Sequence, residues 1–93
     1  MAIKFRKPAV KFIEKADPDT LSRIQKKLNQ LVTAVEEQSI IPFTELEIKQ
    51  MKGAWEGFYR LRVGKIRLLF TVDFTSGEVE VYAIGSRGDI YKN

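Results

Sequence analysis

The feature that most limits the fold is the dipeptide Gly64-Lys65, set between two alternating apolar runs at 59–63 and 66–72. Glycine at the first central position suits a two-residue type II′ hairpin turn. Such a turn pairs Val63 with Ile66, Leu61 with Leu68 and Tyr59 with Phe70. All six share one face, because side chains alternate along a strand. A second turn, Phe74-Thr75-Ser76-Gly77, sets Asp73 opposite Glu78. It predicts the pairs Val72–Val79, Phe70–Val81 and Leu68–Ala83. Both turns send the same apolar set inward, and a slip of one residue would expose it to water. The spacing therefore predicts three antiparallel strands with one apolar face that needs a cover.

The N-terminal half supplies that cover. Ile3 and Phe5 alternate with polar neighbours, a short strand pattern. Pro8 suits a first helical turn, and Ala9, Phe12, Ile13 and Ala16 follow at helical spacing. Asp17-Pro18 restarts the chain, with Asp17 as N-cap and Asp19 at the positive helix end. Leu21, Ile24, Leu28, Leu31, Val32 and Val35 keep the helical period to about Gln38. Beyond it, Ile40-Ile41-Pro42 reads as extended, 45–51 as a short helical turn, and Gly53 and Gly57 as punctuation. At 93 residues, with no repeat or linker, the chain reads as a single α+β domain over 1–93. An N-terminal strand and a helical hairpin pack on one face of a C-terminal antiparallel sheet.

The opposite face of that sheet carries Phe58, Arg60 and Arg62 from one strand and Arg67, Leu69 and Thr71 from the next. The turn places Arg62 directly across from Arg67. Like charges facing each other are destabilising, and residues 57–72 contain no acid to relieve them. Such a face is arranged to hold an anion. Arg87 and Tyr91 follow the third strand and return toward the same end. The charge balance agrees, with 16 Lys+Arg against 12 Asp+Glu and a net charge of +4.

The chemistry available to such a site is narrow, because the chain has no histidine and no cysteine. Disulfides, the usual zinc sites, cysteine nucleophiles and histidine acid/base pairs are excluded. No metal or other cofactor is expected. No apolar run is long enough to span a membrane, and no secretory leader pattern is visible, so the expected location is the cytoplasm. Other charged groups read as solvated surface: Lys4, Arg6, Lys7, Lys11 and Lys15 at the N-terminus, and Arg23, Lys26 and Lys27 on the long helix. Glu36, Glu37, Glu45 and Glu47 do not make a metal site. Trp55 and Phe58 read as packing residues.

The stretch KGAWEGFYRLRVGKIRLLF at 52–70 and the run VEVYAIGSRGDIY at 79–91 resemble the RelE/ParE toxin superfamily. The YRLRVG core and the closing Ile84-Gly85-x-Arg87-x-x-x-Tyr91 pattern carry the likeness. The resemblance implies the RelE, microbial-ribonuclease-like fold and two activities, one for each branch. RelE-type toxins cleave mRNA in the ribosomal A site, and ParE-type toxins poison DNA gyrase. Motif by motif, it implies phosphate binding by Arg60 and Arg62, and catalysis by Arg67, Arg87 and Tyr91. It also implies a cognate antitoxin as partner, with a heterotetramer as one assembly, and mRNA on the ribosome as substrate. Some members carry lysine where Arg60 and Arg62 stand. Arginine holds its proton too firmly to act as a base, which leaves Tyr91, Glu56 or a water for that role. A catalytically inactive binding module is the third alternative.

Overall fold

The computed structural model describes residues 3–86. Its elements run β1 (Ile3–Phe5), α1 (Lys7–Lys15), α2 (Pro18–Gln38), β2 (Ile48–Gln50), a 3-10 turn (Gly53–Trp55), β3 (Tyr59–Val63), β4 (Ile66–Asp73) and β5 (Glu78–Ser86). One five-stranded sheet results, in the order β1-β5-β4-β3-β2. Both helices lie on one face, α1 against β5 and α2 against β3.

The helices begin and end where local chemistry dictates. Pro8 lies in the first turn of α1. The Asp17 side chain accepts the Thr20 amide at 2.8 Å and caps α2, and that bond holds its carboxyl below the usual aspartate range. The far end of α2 closes on Ser39 in the left-handed conformation, φ 54°. The Ser39 and Ile40 amides donate back to the carbonyls of Val35 and Ala34. A left-handed residue with a Cβ is strained where glycine is not. Replacing Ser39 with Gly should therefore raise stability by about 0.5–1 kcal/mol, and the melting temperature by several degrees in a domain of this size. A lowered melting temperature would contradict that account of the cap.

The expected hairpins form. Val63 pairs with Ile66, Leu61 with Leu68, and Tyr59 with Phe70. Gly64 has φ +61° while Lys65 keeps a negative φ, as a II′ turn requires. In the second hairpin, Asp73 pairs with Glu78, Val72 with Val79 and Phe70 with Val81. Beyond Phe70 the register differs from expectation: Leu68 meets Ile84, not Ala83. A β-bulge between Leu69 and Phe70 leaves Tyr82 as the extra residue on β5. Unbroken alternation would have turned Ala83 inward and Ile84 out to solvent. One inserted residue reverses this, and Ile84 is buried in the main core.

Two further differences concern the sheet's edges. β1 joins β5 in parallel, so the sheet is mixed. The helical hairpin between these strands is long enough for a parallel return. The helical turn expected at 45–51 is shorter and lies earlier. The Leu46 amide bonds the Pro42 carbonyl, then Glu47 at φ 55° breaks the turn. Residues 48–50 instead extend as β2, antiparallel to β3. Burial of Leu46 and Ile48 explains the choice, since both complete the core beside Leu61.

That core lies between helices and sheet. Phe70, Leu31, Leu61, Leu68, Val79 and Val81 are fully enclosed in it. Leu69 is equally buried, yet it points the other way and stands outside this cluster.

Candidate functional site: an arginine face on the sheet

The face turned away from the helices is laid out in rows by the strand pairing. Arg62, Arg67 and Gly85 form one row, next to the Gly64 turn. Lys49, Arg60, Leu69 and Ala83 form the next. Beyond them stand Thr71 and Glu80, and then Asp73 and Glu78. The cations thus collect at the Gly64 end and the acids at the other. Gly85 and Ala83 are the small residues next to the arginines in these rows, and Leu69 between Arg60 and Ala83 is fully buried.

An aromatic pair lies on the same face. Phe58, just before β3, meets Tyr82 of β5 edge-on, with centroids 4.8 Å apart. Since β4 runs between those strands, the two rings bridge over it. Trp55 packs edge-on against Phe58 at 5.3 Å. Tyr82 is the bulged residue, and it follows the inward-facing Val81. Phe58 and Trp55 are therefore packing residues, as their sequence context suggests.

The arginines have few internal partners. Among the described residues, none of Arg60, Arg62 and Arg67 has a carboxylate within ion-pair distance. The Nε atoms of Arg60 and Arg67 are buried and lack any hydrogen-bond partner among the described residues. A buried unpaired donor costs about 1–3 kcal/mol, and more when charged. Arg62 is exposed and its Nε donates weakly to the Gly64 carbonyl at 3.4 Å. The acids, by contrast, are taken. Glu78 pairs with Lys4 at 3.6 Å and Glu80 with Arg6. The Asp73 carboxylate accepts the amides of Thr75 and Ser76.

The structure thus brings Arg60, Arg62 and Arg67 together, as expected. Arg87 and Tyr91 lie outside the described residues. Lys49 was missed, because its place opposite Arg60 depends on β2, which no turn dipeptide announces. Arg6 was read as solvated edge. It lies 5.0 Å from the centroid of the Tyr82 ring, and its bond to Glu80 raises its pKa above the ordinary value. Among the described residues no group of acids could hold a metal ion. No helix there is long and apolar enough to cross a membrane.

Two helices on one face of a five-stranded sheet, with a cationic opposite face, define a small α+β protein of the RelE toxin fold. The archaeal RelE–RelB complex of Pyrococcus horikoshii superposes with a TM-score of 0.71 at 20% identity, covering 95% of this chain and 96% of that one. The RelB–RelE antitoxin–toxin complex of Methanococcus jannaschii gives 0.69 at 23% identity, covering 95% and 94%. In sequence, a Methanocaldococcus jannaschii protein bearing the toxin name RelE1 is 28% identical over 91 residues, 98% of this chain and 94% of that protein. The family model for the ParE toxin of the type II toxin–antitoxin system parDE matches residues 3–91. The chain belongs to this ParE toxin family, within the RelE/ParE superfamily of type II toxins.

Proposed function

We propose that the protein is the toxin of a toxin–antitoxin module and works as a ribosome-dependent endoribonuclease. The observation that carries this reading is the pair of buried Nε atoms on Arg60 and Arg67 that have no partner among the described residues, beside an Arg62–Arg67 cross-strand pair. Such groups bear a standing desolvation cost that an RNA phosphate would relieve, since arginine forks match phosphate oxygens in bidentate fashion.

The chemistry is a transesterification. The 2′-oxygen of the RNA attacks the adjacent phosphorus as its proton passes to a base. The bond from phosphorus to the 5′-oxygen breaks, and that oxygen takes up a proton. The products are a 2′,3′-cyclic phosphate and a 5′-hydroxyl. Arg60 and Arg62 hold flanking phosphates, while Arg67 and Arg87 stabilise charge on the phosphorane. Tyr91 either accepts the 2′-proton, with cationic neighbours favouring its phenolate, or stacks on a base. Glu56 and water are the other candidates for the base. With no imidazole available, the ribosome supplies the in-line geometry. In this reading the toxin acts in the cytoplasm. A cognate antitoxin silences it, as the solved RelE–RelB complexes pair toxin with antitoxin, and a heterotetramer is one form of that assembly.

Controlled expression followed by mapping of mRNA ends tests the activity. New ends within translated codons are expected, and growth arrest without them would sink it. Replacing Arg87 or Tyr91 with Ala should lower cleavage by roughly 100-fold or more. Full toxicity of both variants would remove them from the site. The family's ParE description favours a second reading, a gyrase-directed toxin. A supercoiling assay decides it, because gyrase unaffected by excess toxin excludes that target.

A further inference from the structure

Every carboxylate on the open face of β4 and β5 is engaged, while among the described residues Arg60, Arg62 and Arg67 have no carboxylate partner. That division depends on β1. Its Lys4 takes Glu78, and Arg6, just beyond its end, takes Glu80. The pairing is ordered by the backbone, since Lys4 stands beside Glu80 in register and the Arg6 amide donates to the Val81 carbonyl at 2.9 Å.

Glu80 is the acid that matters most. It pairs across β4 with Thr71, one same-face position from Leu69, which itself lies between Arg60 and Ala83. Two strand spacings and one same-face step separate Glu80 from Arg60, roughly 12 Å between backbones. An extended glutamate and an extended arginine can span that gap. The Phe58–Tyr82 ring pair stands across the path, and Arg6 packs against the Tyr82 ring. Arg6 therefore holds the acid away and braces the barrier.

We propose that Arg6 is a positioning residue for the arginine face: by holding Glu80 toward β1 and bracing Tyr82, it leaves Arg60 and Arg67 uncommitted for an RNA phosphate. The inference rests on the proposed RNA site and assigns it a built-in charge separation. Without Arg6, Glu80 becomes an internal competitor for the same guanidinium groups that the phosphate needs.

A double-mutant cycle on the full chain tests this, with a short 2′-O-methyl oligoribonucleotide as a probe that cannot be cleaved. Arg6→Ala should weaken binding roughly three- to tenfold, the scale expected of one freed charge near a partly exposed site. Adding Glu80→Gln should restore affinity to within about twofold of the parent. Glu80→Gln alone should bind at least as well as the parent. Arg6→Lys, which keeps the pairing charge, should retain most of the affinity. If Arg6→Ala weakens binding and Glu80→Gln gives no rescue, Arg6 touches the RNA itself and the inference falls. It falls equally if Arg6→Ala binds as the parent does while Arg67→Ala binds poorly. Binding untouched by Arg67→Ala would instead overturn the site on which the inference rests.

Discussion

Replacing Arg67 with Met should move stability and activity in opposite directions. Arg67 faces Arg62 across the hairpin, and its Nε is buried without a partner among the described residues. Methionine keeps an unbranched apolar stem and removes the charged head. The like-charge contact and the unsatisfied donor disappear together, so the variant should gain about 1 kcal/mol in unfolding free energy. If Arg67 stabilises the phosphorane, cleavage falls by roughly 100- to 1000-fold at the same time. Denaturant unfolding and a cleavage assay on one preparation check both arms. A variant that loses stability and activity together would assign Arg67 a structural role. Retained cleavage would remove it from the catalytic set.

The second large effect is expected at the centre of the core. Phe70 is the largest fully buried side chain among the described residues and pairs with Tyr59 on one side and Val81 on the other. Its ring stacks on Tyr59 at 5.6 Å, and Tyr59 in turn meets Phe43 at 6.0 Å. Phe70→Ala should cost about 3–5 kcal/mol, from lost transfer energy and the cavity left behind. Loss of the stacked pair adds to this. Small domains hold only about 5–15 kcal/mol in total, so the variant should melt on the order of 15–30 °C lower. A shift of only a few degrees would mean that the two sheet hairpins do not share one core at Phe70.

The contrast between these residues shows how much was legible in the chain. Phe70 and Arg67 sit on opposite faces because alternation puts them there, and the Gly64 turn sets the register that faces Arg62 with Arg67. Both follow from short-range rules. The N-cap at Asp17 and the apolar stripe of α2 are equally local. The bulge at Tyr82 is not. Nothing in residues 78–86 says that one of them drops out of the ladder. That is decided by the gain from burying Ile84 rather than Ala83, a matter of what packs beneath the sheet. β2 is similar: three residues carry no strand signal of their own, and Leu61 and Leu46 must be in place before Ile48 has a core to join.

The sequence by itself determined the two helices, the two hairpins and a face bearing Arg60, Arg62 and Arg67. Turn chemistry and periodicity act over a few residues and need no distant partner. Only the tertiary structure decided which charges pair among the described residues. Lys4 and Arg6 lie some seventy positions from Glu78 and Glu80 along the chain, and the parallel docking of β1 on β5 brings them together. Net charge is a sum over residues, but which arginine is left without a counter-ion depends on which strands are neighbours.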